Sequence, residues 1–229
     1  MGMKHWLFLI RHGQTTWNVE HRLPGQVPGV ELTDAGREQA KCLALALKAV
    51  PLTAIISSPL ERATETARYL AEGRNITIQM DPDLMDIELG QWTGQNRDEL
   101  TRHDPVWQAF LRNPLVGPEG VETFPDVEHR AIAAVERWLQ QEATGACPAF
   151  VTHSDVIKLL IAHYEGLEVR LARRLFIENA SVSIIELQAD RRPRIHALGW
   201  SPQPFWLEPS TFQSEQPKRE EQADGEQYG

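Results

Sequence analysis

The chain has 229 residues, of which 41% are hydrophobic and 24% charged, so it has enough apolar side chains for a substantial globular core. Its 23 basic and 32 acidic residues give a formal net charge of −9, which argues against nucleic-acid or anionic-membrane binding, because both need a basic surface. Cys42 and Cys147 are too few for a disulfide framework or a thiolate metal site. The first apolar run, residues 6–10, is too short for a signal peptide or a membrane span. We therefore expect a soluble, cytoplasmic protein.

Short apolar runs alternate with helical patterns in the first half of the chain. Residues 5–10 are typical of a buried strand, and residues 33–50 of a helix with Thr33 as its N-cap. A second strand is predicted at residues 54–57. The segment 58–61 (SPLE) predicts a helix start, with Ser58 as the N-cap of a capping box.

The second half continues this alternation. A third strand is predicted around residues 76–79 and a long helix at residues 123–142. Between them, residues 96–112 carry mixed helical signals that a proline interrupts. Residues 148–152 predict a strand followed by a helix, and residues 181–187 and 194–198 predict two further strands.

This succession predicts an α/β fold, a three-layer α/β/α sandwich around a central, mostly parallel sheet. We assign residues 1–208 to one domain. Residues 209–229 are rich in Gln, Glu, Ser, Lys and Gly, and so polar a segment cannot bury enough surface to offset the entropy of ordering it. We expect that tail to be disordered.

Four cationic or ionisable side chains come to one edge of the predicted sheet. Ligands of open α/β sheets bind at the carboxyl ends of the strands, where this sequence places Arg11, His12 and His153, with Arg62 in the helix that follows the second strand. Two arginines and two histidines suit a small multiply charged anion, since guanidinium groups match phosphate oxygens and a neutral imidazole is a nucleophile. The sequence has no P-loop and no carboxylate set with Mg²⁺-ligand spacing. Phosphoryl chemistry is therefore expected to proceed without a metal.

Five ordered motifs resemble the histidine phosphatase superfamily in its phosphoglycerate mutase-like branch. They are residues 9–15 (LIRHGQT), 32–36 (LTDAG), 57–63 (SSPLERA), 88–94 (ELGQWTG) and 151–153 (VTH), and they span roughly residues 5–200. Five motifs in family order are far more specific than a single Arg-His-Gly triplet.

The resemblance implies a role for each matching residue. His12 would be the nucleophile that accepts the phosphoryl group, and Arg11, Arg62 and His153 would hold its oxygens. Asn18 would be a further phosphate ligand, and Glu88 would be the proton donor to the leaving group. The resemblance implies that the substrate is a small phosphorylated metabolite and that neither a cofactor nor a metal is needed. Whether the protein forms a homodimer stays open.

Three functions remain open at this stage. We favour a metal-independent phosphatase that forms a phosphohistidine. A phosphoglycerate mutase-type phosphotransferase and a non-catalytic phospholigand-binding protein are the alternatives. Residues 90–122 contain three prolines and several glycines, so we expect them to form a cap of irregular backbone that admits water, which favours the phosphatase.

Overall fold

The computed structural model describes residues 4–189, 191–204 and 207, so the predicted disordered tail lies outside the described residues. Its centre is a sheet of six strands, in the order β3-β2-β4-β1-β5-β6. The strands are His5–Arg11 (β1), Ala54–Ser57 (β2), Ile78–Met80 (β3), Pro148–Thr152 (β4), Val182–Gln188 (β5) and Arg191–Trp200 (β6). The pairs β3/β2, β2/β4 and β4/β1 are parallel, whereas β1/β5 and β5/β6 are antiparallel. The mostly parallel sheet predicted from the sequence is confirmed.

Seven α-helices accompany the sheet within the described residues. They are Thr16–Val19 (α1), Asp34–Ala46 (α2), Glu61–Ala71 (α3), Arg97–His103 (α4), Pro105–Arg112 (α5), Phe124–Leu139 (α6) and Ser154–Glu165 (α7). Thr33 caps α2, as predicted: its side chain accepts a hydrogen bond from the Gly36 N–H. None of these helices is long and apolar enough to cross a membrane.

Alternate side chains of the strands enter two separate cores, one on each face of the sheet. In β1, Leu7 and Leu9 contact the core that α6 and α7 cover, whereas Phe8 and Ile10 contact the core that α2 and α3 cover. This alternation follows from the strand geometry, which points successive side chains to opposite faces. Helices on both faces of the sheet make the three layers that the sequence predicts.

The structure corrects two predictions about local structure. Helix α3 begins at Glu61 with Leu60 as its N-cap and no side-chain capping bond, so the capping box predicted at Ser58 is wrong. Residues 90–122 are not irregular throughout, because α4 and α5 lie within them. Each of these helices has a capping side chain, Asn96 for α4 and Asp104 for α5, that accepts two backbone N–H bonds.

Candidate active site

Strand register brings the carboxyl ends of β1, β2 and β4 to the same edge of the sheet. Arg11, the last residue of β1, lies opposite Thr152, and Ser57, the last residue of β2, lies opposite Val151. The residues that follow these strands are therefore neighbours although they are far apart in sequence. Arg62 joins them from the first turn of α3. The structure thus brings together the four residues that the sequence predicted to meet there.

Gly13 allows the loop after β1 to lie directly against the start of α2. A Cβ atom at this position would come within 2.4 Å of the Gly36 carbonyl oxygen, which leaves no room for any side chain. The Gly13 N–H donates to Thr66 Oγ1 at 3.1 Å, so the loop is also tied to α3. These contacts fix the backbone next to His12.

His12 is buried, and its hydrogen bond determines its tautomer. Nδ1 lies 2.7 Å from the Gly13 carbonyl oxygen, and because a carbonyl can only accept, Nδ1 carries the hydrogen. Burial, and then the charges of Arg62 and Arg11, hold the pKa of His12 well below its usual value. The ring is therefore neutral at neutral pH, with a lone pair on Nε2.

His153 lies beside His12, with ring centroids 5.2 Å apart, and is held differently. Its Nε2 lies 2.9 Å from Ser58 Oγ, and that oxygen also accepts the Leu60 N–H at 3.4 Å. The Ser58 hydroxyl can donate to His153 Nε2, and the Asp86 carboxylate oxygen Oδ2 lies 3.6 Å from Nδ1, so we assign the hydrogen of the neutral ring to Nδ1. Burial and the neighbouring Arg62 hold the pKa of His153 well below its usual value. His153 Nδ1 is therefore a neutral donor.

Several buried nitrogen atoms in this cluster have no hydrogen-bond partner among the described residues. They are Arg11 Nε, Arg62 Nε, Arg62 Nη1 and His153 Nδ1. Unpaired buried donors are costly, and a bound anion with several acceptor oxygens would satisfy them. Arg11 and Arg62 are positioned by backbone carbonyls, at 2.7 Å from Ile177 and 2.9 Å from Gly25. The geometry suits a phosphate group.

Asp86, not Glu88, is the carboxylate that reaches this cluster. Asp86 Oδ2 lies 3.3 Å from Arg62 Nη2 and 3.6 Å from His153 Nδ1, and Asp86 lines the cavity described below. Glu88 Oε1 instead accepts the N–H groups of Leu89 and Gly90, both at 2.9 Å, and Glu88 is not among the described residues that line the cavity. The structure therefore does not bring Glu88, which was expected to be the proton donor, into this cluster. Burial raises the pKa of Asp86, although the charge of Arg62 opposes that shift.

Arg130 holds the backbone of the loop that carries Asp86. Its guanidinium donates to the carbonyl oxygens of Asp83, Met85 and Asp86 at 2.8, 2.7 and 2.9 Å. It also makes two 2.8 Å bonds to the carboxylate of Glu122. Sequence reasoning missed Ser58, Asp86 and Arg130 as parts of the site. Arg130 had no local signal, because it lies in the middle of α6 and reaches the loop only in the folded chain.

Asn18, for which the resemblance implied the role of a further phosphate ligand, lines the cavity described below. Its side-chain oxygen accepts the Thr15 N–H at 3.0 Å and the Asn179 amide at 3.1 Å. Both bonds use the oxygen, so the Asn18 NH₂ group is left to donate to a ligand. Asn179 also donates to the His12 carbonyl at 3.2 Å and thereby links Asn18 to the nucleophile loop.

A cavity of about 390 Å³ opens from this cluster to the protein surface. Its apolar walls come from α5, from the start of α6 and from the segment before β5, and include Trp107, Phe110, Leu111, Phe124 and Ile177. Its mouth includes His21, Arg173 and Phe176, all exposed to solvent. Trp17 also lines the cavity. Trp92 is fully buried and packs against Trp107 at a ring-centroid distance of 4.9 Å.

Comparison with known proteins agrees with this geometry. Residues 7–201 match the histidine phosphatase superfamily (branch 1). The chain is 32% identical over 185 residues to the probable phosphoglycerate mutase GpmB of Yersinia pestis, an alignment that covers 80% of this chain and 85% of that protein.

Two solved structures are similar over most of their length. YhfR of Bacillus stearothermophilus is 36% identical with a TM-score of 0.78, over 85% of this chain and 96% of that one. A mycobacterial glucosyl-3-phosphoglycerate phosphatase, solved with VO3, is 29% identical with a TM-score of 0.78, over 86% of this chain and 100% of that one. The chain therefore belongs to branch 1 of the histidine phosphatase superfamily.

Proposed function

We propose that this protein is a phosphatase that hydrolyses a small phosphate monoester through a phosphohistidine on His12, with Asp86 as the proton donor. The observation that carries the proposal is the hydrogen bond from His12 Nδ1 to the Gly13 carbonyl, because it leaves Nε2 as a neutral nucleophile among unpaired cationic donors. The names of two relatives, a glucosyl-3-phosphoglycerate phosphatase and a putative α-ribazole-5′-P phosphatase of Escherichia coli that is 27% identical, support a phosphate ester of an alcohol as the substrate class.

In the first step, His12 Nε2 attacks phosphorus and the bond from phosphorus to the ester oxygen breaks. The oxygens of the phosphoryl group gain negative charge, which Arg11, Arg62 and the His153 Nδ1–H stabilise. The leaving alkoxide takes a proton from Asp86, whose raised pKa favours the protonated form.

In the second step, water hydrolyses the phosphohistidine and releases inorganic phosphate. Asp86, now ionised, accepts a proton from the attacking water and returns to its starting form. The solvent-exposed mouth of the cavity supports water entry at each turnover.

A phosphoglycerate mutase activity is the second candidate, because of the similarity to the probable mutase of Yersinia pestis. A mutase would use the same cluster of residues, but its phosphohistidine must escape hydrolysis while one ligand leaves the cavity and the next one binds. The open mouth favours hydrolysis over isomerisation.

Phosphate release and isomerisation can be measured on the same preparation, with EDTA present because the arginines already supply positive charge to the phosphate. We expect release from alkyl phosphates to exceed isomerisation of 3-phosphoglycerate primed with a bisphosphoglycerate. The His12→Ala variant, shown to be folded by circular dichroism, is expected to lose both. Isomerisation faster than release would favour the mutase, and release by His12→Ala at the wild-type rate would refute the proposal.

A further inference from the structure

Four arginines surround a surface depression of about 560 Å³ next to the mouth of the cavity. They are Arg112, Arg170, Arg173 and Arg174, and with Leu171 they form its described lining, which we call the arginine depression. Arg112 is the last residue of α5, whereas the other three lie in a 3-10 helix, Val169–Arg174. Two separate elements therefore place guanidinium groups around one depression, in a chain with a formal net charge of −9.

Most of this charge is not neutralised within the described part of the chain. Arg170 pairs with Glu168 at 2.5 Å, but no described carboxylate lies within 4 Å of the other three guanidinium groups. Asp155 acts on Arg173 from a longer distance and is itself paired with Lys158 at 3.0 Å. Like charges gathered in this way repel one another, and an anion held among them would relieve that repulsion.

The depression adjoins the cavity, because Arg173 lines both. The same two elements that carry the arginines also carry the apolar walls. Phe110 and Leu111 of α5 face the cavity and Arg112 faces the depression, while Phe176 and Ile177 line the cavity just beyond Arg174. The arginines therefore adjoin the apolar walls of the cavity that leads to the phosphate site.

We propose that the arginine depression is a second anion subsite that binds the far end of the substrate. The inference rests on the proposed function and names its substrate class: a phosphate monoester whose alcohol part has an apolar middle and ends in a second anionic group. A phosphate or a carboxylate has the required chemistry, since guanidinium groups bind both through paired hydrogen bonds.

The test compares esters of equal chain length that differ only at the far end. For chains of three, five and eight carbons, kcat/KM is measured for the alkyl phosphate, the ω-carboxyalkyl phosphate and the alkanediol bisphosphate. At the length that reaches from the phosphate site to the arginines, we expect a charged end to raise kcat/KM by about fivefold for each ion pair that it forms, the upper value for a solvent-exposed pair. We expect 0.5 M salt to reduce that preference. Comparison of kcat/KM for the ω-carboxyalkyl phosphate with that for the alkanediol bisphosphate then identifies the preferred anion.

Two variants assign the preference to the arginine depression. Arg112→Gln and Arg174→Gln are each expected to lower the ratio of kcat/KM for the charged-end ester to that for the alkyl phosphate about fivefold. Arg192→Gln is the matched control, because Arg192 is exposed in β6 outside both the cavity and the depression. It is expected to leave the ratio unchanged.

The outcomes separate this inference from the proposed function. Hydrolysis of alkyl phosphates with no preference for a charged end at any length would overturn the subsite alone. A preference for a charged end that persists in both Arg112→Gln and Arg174→Gln would also overturn the subsite alone. If no ester is hydrolysed, the proposed function itself fails.

Discussion

His12 and His153 lie side by side, but their hydrogen bonds give them different capacities. A backbone carbonyl accepts from His12 Nδ1 and leaves its other nitrogen as a nucleophile, whereas Ser58 lies at His153 Nε2 and leaves Nδ1–H as a donor. Both rings are neutral at neutral pH because burial and the two arginines lower their pKa values. One imidazole is therefore ready to attack phosphorus and the other to bind a phosphate oxygen.

Asp86 and Glu88 provide a matched pair of variants for the proton donor. Asp86→Asn is expected to lower kcat/KM for an alkyl phosphate by about 10²–10⁴-fold, because the leaving alkoxide then receives no proton. For p-nitrophenyl phosphate, whose leaving group is stable as an anion, kcat/KM is expected to fall much less. Glu88→Gln, the control, is expected to change neither value by more than a few-fold. Equal losses on both substrates for Asp86→Asn, or a leaving-group-dependent loss for Glu88→Gln, would contradict the assignment.

Helix α6 holds the loop that carries the acid. Arg130 is largely buried, and replacing it with methionine removes its bonds to Glu122 and leaves three loop carbonyls without this donor. We expect Arg130→Met to lower the free energy of unfolding by ~2–3 kcal/mol. Because the loop then positions Asp86 less well, kcat/KM should fall more for alkyl than for p-nitrophenyl phosphate.

Arg137 on the same helix gives the control for this prediction. It pairs with Asp81 at 2.8 Å and with Asp83 at 3.0 Å, but its side chain is 48% exposed. Arg137→Met is expected to cost less than ~1 kcal/mol and to leave the ratio between the two substrates unchanged. If Arg130→Met slowed both substrates equally, Arg130 would support the fold without positioning the acid.

The sequence predicted most elements, because their apolar periodicities and the capping residue Thr33 are local signals. It failed where a side chain takes a distant partner. The residues around Ser58 are typical of an N-cap, but its hydroxyl is within hydrogen-bond distance of His153, which is 95 residues away in the sequence. Asp86 and Glu88 are two residues apart in an irregular loop, so only the folded backbone decides which carboxylate faces the cavity. The resemblance located the acidic motif but pointed to Glu88, which the structure places outside the cluster.

Burial of neutral histidines links the stability of the whole protein to pH. The pKa of His12 is near 6.5 in an unfolded chain and well below that in the folded state, so below pH 6.5 the unfolded state binds a proton that the folded state does not. The free energy of unfolding should therefore fall as the pH is lowered from 7 to 5, by up to ~1.4 kcal/mol per pH unit for each such histidine. His153 contributes in the same direction.

Comparison with His12→Gln isolates one of these contributions. We expect chemical denaturation in phosphate-free buffer to show that, between pH 6.5 and pH 5, the free energy of unfolding falls less steeply for His12→Gln than for the wild type. Asp86, whose raised pKa gives the opposite slope, is present in both proteins. If the free energy of unfolding fell equally steeply in both proteins, His12 would have the same pKa in the folded and unfolded states, which would contradict this account.

The most direct test of the phosphohistidine is to trap it on His12. In Asp86→Asn with p-nitrophenyl phosphate, the first step needs no acid, but hydrolysis of the intermediate lacks its base, so the phosphoenzyme should accumulate. Rapid mixing followed by an alkaline quench and peptide mapping should show a burst of p-nitrophenolate and an acid-labile phosphoryl group in the peptide that contains His12. A phosphoryl group on another residue, or wild-type phosphate release by His12→Gln, would contradict the account.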